Sequence, residues 1–79
     1  MDIQEIIVTD KDILGGQPVF AGTRVPVESL FDHLEAGVSL DDFLDDFPGV
    51  AREQAVGLLD MANKIMTSKN IAKLYEAVA

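Results

Sequence analysis

The chain contains no cysteine and no tryptophan, and only one histidine and one tyrosine among its 79 residues. Without cysteine, neither a disulfide nor a thiolate metal site can hold the fold together, and the absence fits a reducing cytoplasm. His33 has no second histidine with which to share a metal, and no nucleophile, base and orienting group stand in a recognisable pattern. The expectation is therefore a protein that binds rather than catalyses, with no catalytic residue, no metal and no cofactor. No apolar run approaches the roughly 18 residues of a membrane-spanning helix, and the basic-then-apolar layout of a signal peptide is missing. These absences predict a soluble cytoplasmic protein with no membrane contact.

Basic charge is scarce too. The net charge is −8, and residues 27–48 carry Glu28, Asp32, Glu35, Asp41, Asp42, Asp45 and Asp46 with no lysine or arginine. From residue 49 onward, Arg52, Lys64, Lys69 and Lys73 outnumber Glu53, Asp60 and Glu76. Binding to nucleic acid is driven by lysine and arginine releasing counterions, so an acidic middle disfavours DNA as a partner. The length gives one small domain, whose core supplies roughly 3–5 kcal/mol. A second copy or another protein is the expected supplement.

What is present is organised around residues 15–27, which run Gly-Gly-Gln-Pro-Val-Phe-Ala-Gly-Thr-Arg-Val-Pro-Val. Glycines and prolines punctuate turns, and Val19-Phe20 and Thr23-Arg24-Val25 have the composition of short strands. An earlier β-branched run, Ile6-Ile7-Val8, predicts a first strand. Pro26 disfavours the α region at Val25 and suits the first position of a helix, so strand gives way to helix there. Val27, Leu30, Phe31 and Leu34 then repeat at helical spacing until Gly37. Ser39 with Asp42 three residues on caps a second helix carrying Leu40, Phe43, Leu44 and Phe47, which Pro48-Gly49 ends. A third helix begins near Ala51 with Ala51, Ala55, Leu58, Leu59, Ala62 and Ile65 on one face.

Beyond Met66 a break at 67–70 precedes a last stripe, Ile71, Leu74, Tyr75 and Val78. The predicted organisation is a β element plus trihelical domain over residues 1–66 and an amphipathic helical tail over 67–79. The fold class is mainly α, a three-helix, helix-turn-helix (homeodomain-like) bundle preceded by a small N-terminal β element; the same pattern also serves purely structural bundles.

Each candidate residue has a bland explanation beside a functional one. Arg24 either contacts phosphate or a partner carboxylate, or braces the hairpin, and bracing is favoured. Arg52 and Gln54 begin the third helix, where a recognition helix contacts DNA; with Arg24 they are the DNA-binding candidates. His33 reads as a helix-face histidine. The four aspartates of the second helix read as a solvated face, with Asp42 and Asp46 the candidates for docking a basic protein. Ile71, Leu74, Tyr75 and Val78 either fold back on the core or anchor in a partner groove.

Residues 16–27, with Ala36-Gly37-Val38-Ser39 and Phe47-Pro48, resemble a bacterial family catalogued as domain of unknown function 433. The resemblance covers roughly residues 5–65. It implies a homeodomain-like trihelical domain with a small β element, and antitoxins of type II toxin-antitoxin pairs, often beside a ribonuclease-like toxin of the PIN class. Gln17 and Ala21 stand where the family often has basic residues, and Ala51 where it often has threonine. Two readings follow: an antitoxin that neutralises a cognate toxin as a homodimer, with weak operator binding, or a small dimeric structural or adaptor protein that touches no DNA. The dimer contact is expected at the N-terminal strand region.

Overall fold

The structure, a computed structural model, describes residues 1–76. Val78, predicted to lie on the last stripe, falls outside the described residues. In chain order the elements are α1 (Ile3–Ile6), β1 (Ile7–Val8), a 3-10 turn (Leu14–Gly16), β2 (Val19–Phe20), α2 (Val27–Glu35), α3 (Leu40–Asp46), α4 (Arg52–Met66) and α5 (Lys69–Glu76). The protein is mainly helical, with one small antiparallel sheet in which Ile7 faces Phe20 and Val8 faces Val19.

The N-terminal strand begins one residue later than its composition suggests. Ile6 closes the turn of α1, and its side chain is 2% exposed. The cause lies far along the chain: Gln54 Nε2 donates to the Glu5 carbonyl at 2.9 Å, satisfying an acceptor that the end of so short a helix leaves open. Ile6 then packs against Gly57. A β-carbon built there would stand 2.8 Å from Ile6 Cδ1, so the missing side chain is what lets α1 lie on α4.

Thr23-Arg24-Val25 is not a strand but the return limb of a tight hairpin. Phe20 N donates to Val25 O at 2.9 Å and Val27 N to Pro18 O at 3.1 Å, which leaves a single bridge between Val19 and Pro26. Pro26 stands just outside α2, at φ −61° and ψ 138°, rather than at its first position. Its fixed φ is compatible with either place.

The helices follow their apolar periodicity. Leu30 of α2 and Phe43 of α3 are fully buried, and their stripe-mates Val27, Phe31, Leu34, Leu40, Leu44 and Phe47 pack partly buried around them. Gly37, at φ 84°, ends α2 by letting Val38 N reach His33 O and its own N reach Leu34 O, the paired bonds of a Schellman motif. Ser39 Oγ accepts from Asp42 N at 3.1 Å and starts α3. Ala55 and Leu58 of α4 close the core against Ile6, Phe20 and Val50. Ile65, assigned to the same face, is 57% exposed because α4 runs past the body it packs on. The resulting shape is long, 41 × 29 × 23 Å with a radius of gyration of 14.1 Å, against about 12 Å for a compact chain of this length.

Candidate protein-interaction site

The sequence-predicted site residues separate into three places. At the start of α4, Arg52 and Gln54 have opposite fates. Gln54 is 8% exposed and spends its whole amide inside the protein: Nε2 donates to Glu5 O at 2.9 Å and to Ala21 O at 3.0 Å, while Oε1 accepts from Ala51 N at 3.0 Å. This corrects its assignment as a DNA contact, since a side chain so placed cannot reach a base edge without breaking three bonds between α1, the hairpin and α4. Two signals in the sequence pointed to this. Gln54 stands three residues after the N-cap Ala51, where a glutamine side chain reaches back to the cap amide. It also lies four and seven residues before Leu58 and Met61, on the inward face. Ala51 has no side-chain oxygen, so that back-reaching bond is the whole of the cap.

Arg52 is exposed and pairs with Asp41 at the start of α3. The hydrogen bond and charge of Asp41 raise the Arg52 pKa above its ordinary value, holding the guanidinium in its charged form. Arg24 is exposed and forms no hydrogen bond or ion pair among the described residues. The bracing expected of it belongs to its neighbour. Thr23 Oγ1 donates to Phe20 O at 2.8 Å and accepts from Val25 N at 3.0 Å, closing the hairpin with two local bonds.

The second place is the outer face of α3. Asp41, Asp42, Asp45 and Asp46 are all exposed. Asp41 and Asp42 sit in the first turn, where negative charge is favourable, but Asp45 and Asp46 close the helix where the backbone dipole opposes them. Beneath them His33 lies edge-on to Phe43 and Phe47, with ring centroids 5.2 and 5.5 Å away. Its Nδ1 is 2.6 Å from Ser29 O. A carbonyl only accepts, so Nδ1 carries the proton, and His33 is a half-buried packing residue at the core margin. Among the described residues no three histidine, aspartate or glutamate side chains converge as a metal site requires.

The third place is an arm made of the last turn of α4 and α5. No residue of α5 is buried. Leu74 is 63% exposed and Tyr75 47% exposed, with Ile65 and Met66 similarly open beside them. Ile71 is half-buried. The helix is held by its root: Tyr75 Oη donates to Met66 O at 2.6 Å, and Ile71 N donates to Ser68 Oγ at 3.3 Å. Of the described residues of this stripe none is buried in the core: Ile71 and Tyr75 are partly covered, and Leu74 is largely open. A further apolar surface went unsignalled in the sequence, a groove of about 780 Å³ between α1 and α4 walled by Ile3 and Val56. Val56 interrupts an otherwise charged outer face, and one apolar residue in a charged row is a weak signal.

Among the described residues, no helix is long and apolar enough to cross a membrane. No solved structure matches the chain. An uncharacterized protein, y4eO of Sinorhizobium fredii (strain NBRC 101917 / NGR234), is 41% identical over 51 residues, which is 65% of this chain and 23% of the relative. The chain thus corresponds to less than a quarter of that relative's length. The family described as "Protein of unknown function (DUF433)" matches residues 7–62, from the first strand to the point where α4 leaves the body. With well over half its length inside that match, and with the Gly-Thr-Arg-Val-Pro-Val hairpin inside it as well, the chain belongs to the DUF433 family.

Proposed function

We propose that this chain is a cytoplasmic antitoxin that acts by binding: it seats its arm in a groove of a ribonuclease-like toxin of the PIN class. The observation that carries the reading is α5, whose Leu74 and Tyr75 stand 63% and 47% exposed on a body that closes its own core without them. Helical segments with apolar anchors at i, i+3 and i+4 are recognised in apolar grooves, and Ile71, Leu74 and Tyr75 have that spacing. The acidic end of α3 supports the same reading. Asp45 and Asp46 lie against the helix dipole, where they cost stability rather than add to it, and a carboxylate row complements the basic groove of an enzyme that handles RNA.

In this reading α3 and α4, joined by residues 47–51, are the two helices of a helix-turn-helix-like domain. Operator contact, if made, falls on the exposed Arg24 and Arg52 and stays weak because the net charge is −8. The dimeric adaptor reading has its own support in the α1–α4 groove, which is lined by no described residue of α5 and suits a second copy.

The test is to read the gene next to this one and, where it encodes a ribonuclease-like protein, to co-express the two; a neighbour of another kind would count against the reading. The wild type is expected to neutralise the toxin. Leu74→Ala or Tyr75→Ala, each costing about 2 kcal/mol or more, is expected to weaken the complex about thirtyfold or more. Neutralisation that survives deletion of residues 67–79 would remove the arm from the function.

A further inference from the structure

The outer face of α4 carries a pattern that the core does not use. Arg52, Val56 and Asp60 stand at i, i+4 and i+8, so they form one exposed row with an apolar residue at its centre and opposite charges about 6 Å to either side. Val56 is 48% exposed, and across the groove Ile3 is 58% exposed. Such a row is self-complementary: within the chain Arg52 pairs with Asp41 and Asp60 with Lys64 at 2.9 Å, both at exposed sites, and a guanidinium with five donors and a carboxylate with two oxygens each have capacity for a second partner. A two-fold axis through Val56 turns one α4 antiparallel to the other, which sets Arg52 of each copy against Asp60 of the second copy and Val56 against Val56.

Charge at longer range agrees with this orientation. Residues 63–79 hold Lys64, Lys69 and Lys73 against Glu76, whereas the rest of the chain holds thirteen carboxylates against Lys11, Arg24 and Arg52. The Arg52–Asp41 pair shows that the acidic α3 adjoins the N-terminal end of the row, while the basic arm continues from its C-terminal end. Antiparallel α4 helices bring the basic arm of each copy beside the acidic α3 of the other. A parallel arrangement would put acidic beside acidic and basic beside basic.

We infer that this chain forms a two-fold homodimer through antiparallel α4 helices, with Val56 and Ile3 as the apolar centre and reciprocal Arg52–Asp60 pairs flanking it. The inference does not depend on the antitoxin reading, since it uses no part of the arm's apolar stripe. It also replaces the N-terminal strand edge as the expected dimer contact: β1 is paired on one side by β2 and spans two residues, too little edge to hold a second chain.

The experiment is sedimentation equilibrium on the full chain, with circular dichroism confirming that each variant is folded. Wild type is expected to be dimeric at micromolar concentration. Val56→Glu, which sets two like charges on the axis, is expected to raise the dimer dissociation constant by roughly tenfold or more. Arg52→Glu and Asp60→Arg each place like charges opposite one another twice and are expected to be monomeric alone. Mixed together, they restore both attractive pairs and are expected to form a heterodimer. A monomeric wild type, a dimer indifferent to Val56→Glu, or single reversals that stay dimeric would each overturn the inference. Folded single reversals that fail to combine on mixing would overturn it as well.

Discussion

The body of this protein buries its largest aromatic and aliphatic residues and leaves Met1, Ile3, Leu14 and Val56 open at its surface, whereas the arm buries none of its described residues. In the body Phe20, Leu30 and Phe43 are wholly buried, and the one buried polar side chain among the described residues, Gln54, has every bond it can use. In the arm the large apolar residues Ile65, Met66, Leu74 and Tyr75 are each about half exposed or more. The family match stops at residue 62, close to where α4 leaves the body. A core of this size has little stability to spare, so apolar groups held out of it are better explained by binding than by folding. The difference separates a part of the chain that makes the fold from a part that the fold presents.

If that division holds, damage to the Gln54 cross-brace has the largest effect on stability. Gln54→Ala strips the Glu5 and Ala21 carbonyls and the Ala51 amide of their partner at once, and is expected to cost roughly 2–4 kcal/mol in urea unfolding. A loss below about 1 kcal/mol would mean that water replaces the amide at each group and that α1 is not tied to α4 in this way.

Next in size is the start of α4. Ala51 has the extended backbone of an N-cap, φ −79° and ψ 147°, and is exposed. Ala51→Thr supplies the missing acceptor and is expected to raise stability by about 1 kcal/mol, read from the urea midpoint. A lowered midpoint would show that the cap has no room for the added hydroxyl and methyl.

Smaller still is the effect of Asp46→Asn. Removing a carboxylate from the C-terminal end of α3 is expected to stabilise the body by roughly 0.3–1 kcal/mol while weakening capture of a basic partner. Stabilisation with unchanged capture would confine the partner site to the arm.

Most of the body was legible in the sequence because its signals are local. The i, i+3, i+4, i+7 stripes of α2 and α3, the Ser39 cap and the Gly37 stop each depend on a few neighbouring residues. Ile6 and Gln54 depart from their local patterns for the opposite reason. A β-branched triplet reads as strand until a glutamine 49 residues away holds the Glu5 carbonyl in a helical turn, and a polar residue at a helix start reads as surface unless its partners are known. Arg24 drew attention because it is large and charged, whereas the residue that closes the hairpin is the smaller Thr23. For the arm, the periodicity of Ile71, Leu74 and Tyr75 marked an apolar face correctly. Which surface that face meets depends on where α4 ends relative to the body, and periodicity does not contain that information.

Whether the body folds without the arm is decided by comparing the full chain with residues 1–66 in urea unfolding. Both would be followed by far-ultraviolet circular dichroism at the same dilute concentration. Free energies that agree within about 0.5 kcal/mol are expected, because α5 buries no residue of its own. A truncated chain less stable by about 2 kcal/mol or more would contradict that expectation, by showing that Leu74 and Tyr75 belong to the core.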